Sequence, residues 1–253
     1  MRSMLERFRD VVMQPQAPSV QDPGLLVSQS GPLATYYAPF EYVNTAARIV
    51  LVGITPGASQ AQRALETLRS GLCVGLSDEQ ALRQAKEAAS FSGPMRSALV
   101  DMLDSVGLHN VMGLRSCTEL FGPASAVVHY TSALRNPVSA AGQNYTGNPA
   151  IMRTSYLRAM TDDWLADEAR MLKHALWVPL GKEPTAVLRH FVERSLLSSD
   201  QVLDGMPHPS GANAERIAYF LSRKPRHLLS AKTKPESLDT ARAELIRKIV
   251  AYA

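Results

Sequence analysis

The sequence predicts an α/β protein, a three-layer α/β/α sandwich around a central, mostly parallel, four-stranded sheet. Three observations predict it. Short β-branched runs alternate with segments of helical spacing, which puts helices between strands and on both faces of a parallel sheet. Glycine and proline turns stand directly after the strands, where strand-to-helix connections need them. A chain of 253 residues with 45% apolar content can bury one substantial core.

In chain order, residues 2 to 12 read as a short amphipathic helix, and residues 14 to 32, rich in Pro, Gln and Ser, as an irregular arm. The run from Arg48 to Val52 is a buried strand. Helical spacing follows over Ser59 to Arg69, over 78 to 90, opened by Ser77 with Gln80 as a capping box, and over 94 to 106, closed by Gly107. VVHYTSALR, residues 127 to 135, is a second strand. NPVSAAGQNYTGNP then reads as a long polar loop ahead of a helix over 154 to 173, and loops of that length in compact domains are functional or disordered. Strand 175 to 179 leads through LGK into helix 184 to 195, strand 201 to 205 leads through MPHPSG into helix 213 to 222, and 237 to 252 is a final helix. The organisation is an N-terminal helix and arm over 1 to 31, a domain over 32 to 222, and a basic helical extension over 223 to 253 packed on the domain. In open α/β sheets ligands bind beyond the carboxyl ends of the strands, where loops 53 to 60, 136 to 149 and 206 to 213 should meet.

The formal charge of +4 permits a polyanion partner without demanding one. Its distribution says more. Residues 221 to 250 carry eight Lys or Arg (Arg223, Lys224, Arg226, Lys232, Lys234, Arg242, Arg247 and Lys248) against Glu236, Asp239 and Glu244. A solvated helix face explains such a bias as well as a nucleic-acid patch does. The opening MRSMLERFRD is interrupted by charges every few residues, so it is neither a secretory signal nor a membrane span, and a cytoplasmic location is expected. Cys73 and Cys117 are too few and too far apart for a disulfide framework, an iron-sulfur cluster or a four-cysteine zinc site. No metal and no cofactor are expected, and the Asn144-Tyr145-Thr146 sequon would matter only in a secreted chain.

Two loops carry the chemistry. In GITPG, residues 53 to 57, two glycines allow close backbone approach, Pro56 fixes one dihedral, and the first N–H groups of the following helix favour an anion or a polarised water. A plain strand-to-helix turn gives the same pattern. In DGMPHPSGANAERI, His208 lies between Pro207 and Pro209, which fix where the imidazole points, and Ser210, Gly211 and Asn213 supply small donors and bare backbone at a helix entry.

The strand into GITPG, VPLGK at residues 178 to 182, and HPSGAN, in that order and at those separations, resemble the uracil-DNA glycosylase superfamily across residues 32 to 222. The style is that of an atypical branch near the mismatch-specific and single-strand-selective enzymes, without an iron-sulfur cluster. The resemblance implies a monomeric, monofunctional glycosylase that flips a nucleotide out of DNA and hydrolyses its glycosidic bond through a cationic sugar and an anionic base. On it, His208 donates to the base and Gly53, Ile54, Thr55, Pro56 and Gly57 form the water-activating loop. Ser59, Gln60 and Ser210 grip the DNA backbone with Pro56, Gly57, Gly211 and Asn213.

Three departures from the family shape the expectation. Thr55 stands where relatives commonly carry Asp or Asn, and a neutral hydroxyl holds a water without acting as a base. Ser132, with Thr131 beside it, replaces an Asn that reads uracil, so plain uracil is disfavoured. Gly211 and Ala212 are too small to wedge into a vacated stack. Asn144 and Tyr145 on the long loop fit contacts to a bulky base, or a loop that packs on itself. Phe91 is a stacking candidate or a core residue, and Lys182 faces a phosphate or solvent. The expected substrate is a damaged or modified base, such as a bulky modified cytosine in phage DNA excised as antiviral defence; the alternative is a catalytically silent DNA-binding module.

Overall fold

The computed structural model describes residues 3–93 and 95–252; the expected helix starts at residues 2 and 94 fall outside them. Helix α1 (Met4–Val12) is capped by Ser3, whose Oγ accepts from Glu6 N at 3.1 Å while Glu6 Oε2 accepts from Ser3 N at 2.9 Å. Strands β1 (Leu26–Ser30), β2 (Leu33–Tyr36) and β3 (Ile49–Gly53) follow, then helices α2 (Ala58–Cys73), α3 (Asp78–Ala89), α4 (Met95–Ser105) and α5 (Leu108–Met112). Next come β4 (Val128–Ser132), β5 (Val138–Ala140) and β6 (Gln143–Asn144), and helices α6 (Ser155–Met160) and α7 (Ala166–Met171), joined by a π-helical stretch at Thr161–Leu165. Strand β7 (Leu176–Pro179) and helices α8 (Lys182–Glu193), α9 (Ala214–Phe220) and α10 (Pro235–Tyr252) complete a mixed α/β fold. One sheet is four-stranded in the order β1-β2-β5-β6, and the other has three parallel strands in the order β4-β3-β7.

The residues group into two compact units. Unit 1 takes the described residues of Met1–Asn44, Gly53–Ser90 and Tyr130–Met171; unit 2 takes those of Thr45–Val52, Phe91–His129 and Leu172–Ala253. In unit 1 the apolar stripe of α1 (Leu5, Phe8, Val12) is buried with Ala61, Leu65 and Leu68 of α2 and Ala81, Ala85 and Ala89 of α3. Phe8 stacks on Tyr37 with ring centroids 4.8 Å apart. In unit 2, Ile49 to Val52 of β3 pair in parallel with Leu176 to Pro179 of β7, and these residues are buried, as a strand covered on both faces must be. The fully buried Trp177 donates from Nε1 to Leu172 O at 3.3 Å.

Three expectations change. The arm over 14 to 32 contains β1, which pairs antiparallel with β2 through a Gly31-Pro32 turn where Gly31 has φ +55°. Ser28, Gln29 and Ser30 face solvent, so this strand lacks apolar alternation. The long loop over 136 to 149 is largely a hairpin: β5 pairs with β2 and with β6. Its two-residue turn, Ala141-Gly142, has φ +50° and +78°, the left-handed pair that suits the twist of a hairpin. The expected strand over 201 to 205 is reduced to one parallel bridge, Trp177 to Val202, with Leu203 N donating to Trp177 O at 2.8 Å. Gly205, at φ +103°, ends the extended run; a Cβ there would lie 2.6 Å from Ala241 Cβ on α10.

Candidate functional site

In unit 1 the turn after β3 is bound to the segment that follows β4. Ala133 N donates to Gly53 O at 2.8 Å and Leu134 N to Ile54 O at 2.9 Å. Thr55 Oγ1 donates to Asn136 O at 3.0 Å and accepts from Val138 N at 3.2 Å. A hydroxyl has one proton and two lone pairs, so Thr55 retains one lone pair. It can orient a water that donates to it but cannot take that water's proton. Thr55→Val, which keeps the shape, leaves a buried N–H and carbonyl without their partner. It should therefore lower unfolding stability by about 1 to 3 kcal/mol in denaturant titration; a variant as stable as the parent would contradict this clamp.

Gly57 precedes α2 at φ −72° and ψ 162°, and its N–H donates to Gln60 Oε1 at 3.2 Å. The Gln60 side chain thus caps its own helix. A Cβ at Gly57 would meet nothing within 4 Å, so the fold leaves that approach open. Gly53 and Pro56 are buried and Ser59 is exposed. Thr131 is 7% exposed, and among the described residues its buried Oγ1 has no hydrogen-bond partner, while Ser132 is half-buried. Asn144 is exposed on β6; Tyr145 is buried and donates from its hydroxyl to Pro149 O at 2.5 Å. Its ring therefore belongs to the packing of the hairpin.

Sequence reasoning missed a buried ion cluster in this unit. Arg135, directly before Asn136, donates from Nε and Nη2 to Glu168 Oε1 at 3.1 and 2.6 Å and lies 4.9 Å over the Trp164 ring. Glu168 is fully buried, as is the Lys86 ammonium-bearing chain, whose Nζ donates to Tyr42 O at 2.6 Å. Desolvation pulls the Lys86 pKa down to about 7, against the attraction of Glu168 and Glu41. Burial pushes the carboxyl of Glu41 up, and burial together with Glu41 pushes up the hydroxyl of Tyr37, which donates to Glu41 at 2.9 Å. The available signal was Lys86 itself, a charge on the same helical face as Leu82 and Ala89.

In unit 2, His208 sits between buried Pro207 and Pro209 and is half-buried. Gly181, the residue before α8, has φ +94°, and a Cβ on it would lie 3.2 Å from His208 Cβ and 3.4 Å from Cδ2. VPLGK thus contributes a glycine that positions the histidine, a role its sequence did not announce. Thr185 Oγ1 fixes the Gly181 carbonyl at 2.8 Å. Burial alone lowers the His208 pKa, so the ring is neutral at pH 7 with an N–H to donate. Lys182 follows, exposed at the positive end of α8, where a cation is disfavoured by roughly 0.3 to 1 kcal/mol and helix stability does not explain it.

Gly211 is exposed, and a Cβ on it would also meet nothing within 4 Å. Asn213 is engaged locally, donating to Ser210 Oγ at 3.3 Å and accepting from Arg216 at 3.2 Å. Phe91 is 7% exposed with φ +49°, a core residue held in a conformation that costs roughly 1 to 2 kcal/mol. Five of the eight C-terminal cations meet an acid inside unit 2: Arg223 with Asp101, Lys224 with Glu215, Arg226 with Glu236, Arg247 with Glu244 and Lys248 with Asp204. Much of the basic bias is therefore internal. Among the described residues no helix is long and apolar enough to cross a membrane, and no group of three or more His, Cys, Asp or Glu side chains could hold a metal ion.

No family model matches the sequence, and no solved structure matches it. The chain is 38% identical over 199 residues to an uncharacterized protein, YoxB, of Bacillus subtilis (strain 168), and the match covers 78% of each chain.

Proposed function

The chain belongs to the family of the Bacillus subtilis protein YoxB, and from its own site residues we propose that it is a DNA glycosylase acting as a cytoplasmic monomer. In this reading it excises a damaged or modified base other than plain uracil, a bulky modified cytosine of phage DNA being the favoured case. The observation that carries the reading is His208: a neutral imidazole, fixed by two prolines and seated on the Gly181 backbone. Breaking a glycosidic bond leaves negative charge on the departing base, and a preorganised neutral donor stabilises that charge without an added proton. Within unit 1, Thr55 has a lone pair left to hold a water, and Ser132 is smaller than the amide that would read plain uracil. Gly57 in unit 1 leaves bare backbone open to a sugar-phosphate; in unit 2, Gly211 leaves the same kind of opening and Lys182 is an exposed cation. The glycosylase reading would take the Val202 bridge as the remnant of a fourth strand beside the three parallel ones. No metal or cofactor takes part.

A panel of oligonucleotides, each with one altered base, incubated with the protein and then treated with alkali, tests this. Breaks at one base type support the enzyme. Binding without breaks on every base supports the second reading, a silent DNA-binding module, which the engagement of the Thr55 hydroxyl with backbone favours. Gly57→Ala tests the approach of DNA separately from turnover. Because its φ is ordinary and the space before it is open, its stability should stay within about 1 kcal/mol of the parent. Its DNA affinity, read by fluorescence anisotropy, should fall at least about tenfold, a loss of roughly 1.4 kcal/mol. Unchanged affinity would remove Gly57 from the DNA contact.

A further inference from the structure

Unit 2 holds a cavity of about 290 Å³ at α9 and α10, near the lower end of the size of small-molecule sites. Its lining includes Lys224, Arg226 and Arg242 against one acid, Asp239, which accepts from Tyr219 at 2.9 Å. Glu215 balances Lys224 and Glu236 balances Arg226. Arg242 differs from both. Among the described residues it meets no acid; Nη2 donates to Ser105 O at a long 3.4 Å, and its buried Nε–H has no partner. The Arg242 guanidinium thus brings to the cavity a charge that no acid offsets, and an anion there would supply the counter-charge.

Ser222 gives an independent indication. It lines the same cavity and has φ +58°, at the left-handed position after α9 where Ser222 N donates to Tyr219 O and Arg223 N to Ala218 O. Glycine fits that position without strain, so the fold alone does not ask for a serine. Its hydroxyl adds a donor to a lining in which Arg242 is the cation without an acid partner. A planar guanidinium and a hydroxyl on one cavity lining suit the tetrahedral oxygens of a phosphate.

We infer that this cavity binds a phosphate group, with Arg242 as the anchor and Ser222 as a second donor. The inference does not rest on the glycosylase reading, because it is read by binding without turnover. Inorganic phosphate should raise the melting temperature of the full chain above that in chloride at equal ionic strength, and Arg242→Gln should weaken phosphate binding at least about tenfold. Ser222→Gly, which relieves the strained φ, should melt at or above the parent temperature and still bind phosphate several-fold more weakly, so it decides the matter if Arg242→Gln fails to fold. The source of the phosphate is read from two further probes. Tighter binding of a 5′-phosphorylated oligonucleotide than of its 5′-hydroxyl twin assigns the site to a nucleic-acid end. Equal binding of the two with saturation by a nucleoside monophosphate assigns it to a free phosphate ester. Equal melting temperatures in phosphate and chloride, or parental phosphate affinity in both variants, would overturn the inference.

Discussion

His208→Ala is expected to slow base release by about 10²- to 10³-fold, the usual cost of about 3 to 4 kcal/mol for removing one preorganised donor to a developing anion. DNA affinity should change little, because in the proposed reaction the imidazole acts on the base as it departs and not on the backbone. The pH profile tests the same role. Burial disfavours the imidazolium and holds the His208 pKa below its ordinary value, so the neutral donor is present throughout the range from pH 7 upward. The excision rate should stay level as pH rises through neutrality and change only on the acid side, where the ring gains a proton. A steep loss above pH 7 in a stopped single-turnover assay would show that an imidazolium does the work.

Glu168→Gln is expected to destabilise the fold by about 3 to 5 kcal/mol in denaturant titration, the range for removing one partner of a buried ion pair. Glu168 is fully buried, and its loss strands the Arg135 guanidinium, also nearly buried, and removes the attraction that most favours a charged Lys86. The effect should reach the turn after β3, since Arg135 precedes the Asn136 carbonyl that accepts from Thr55. Lys86 itself gives the stability a pH dependence. Its folded pKa is about 7 and its ordinary value is 10.5, so between those values the unfolded chain binds the extra proton. Stability must then rise with pH across that window, by about 3 to 4 kcal/mol between pH 7 and pH 10, and be lowest below pH 7, where the buried amine is charged. Lys86→Met should abolish the rise. A parent protein whose stability is level from pH 7 to pH 10 would contradict the burial of the amine.

The sequence made the helices and the buried strands legible because their signals are local. The Ser77-Gln80 capping box is present as expected, with Gln80 N donating to Ser77 Oγ at 3.3 Å and Ser77 N to Gln80 Oε1 at 3.0 Å. The apolar run into Gly53 is β3, and Gly107, at φ +81°, closes off α4. The antiparallel sheet was hidden because its signals are weak one strand at a time. β1 is polar, β6 is two residues long, and the turn between β5 and β6 is Ala-Gly where Asn-Gly or Asp-Gly would have announced it. The same blindness affected the site. Thr55 reads as a free hydroxyl in sequence, and only the fold brings Asn136 and Val138 to it. Gly181 and Lys86 depend on residues 27 and 44 positions away, His208 and Tyr42, and no periodicity reports such contacts.

Mass spectrometry of the small molecules freed from DNA reads base release itself. Phage DNA rich in modified cytosine, and the same DNA unmodified, would be incubated with the protein and with His208→Ala. A free modified base is expected from the first DNA with the parent protein, little or none with the variant, and no free uracil or cytosine from the second. Intact DNA with every substrate, from a folded protein that binds it, would contradict the enzyme.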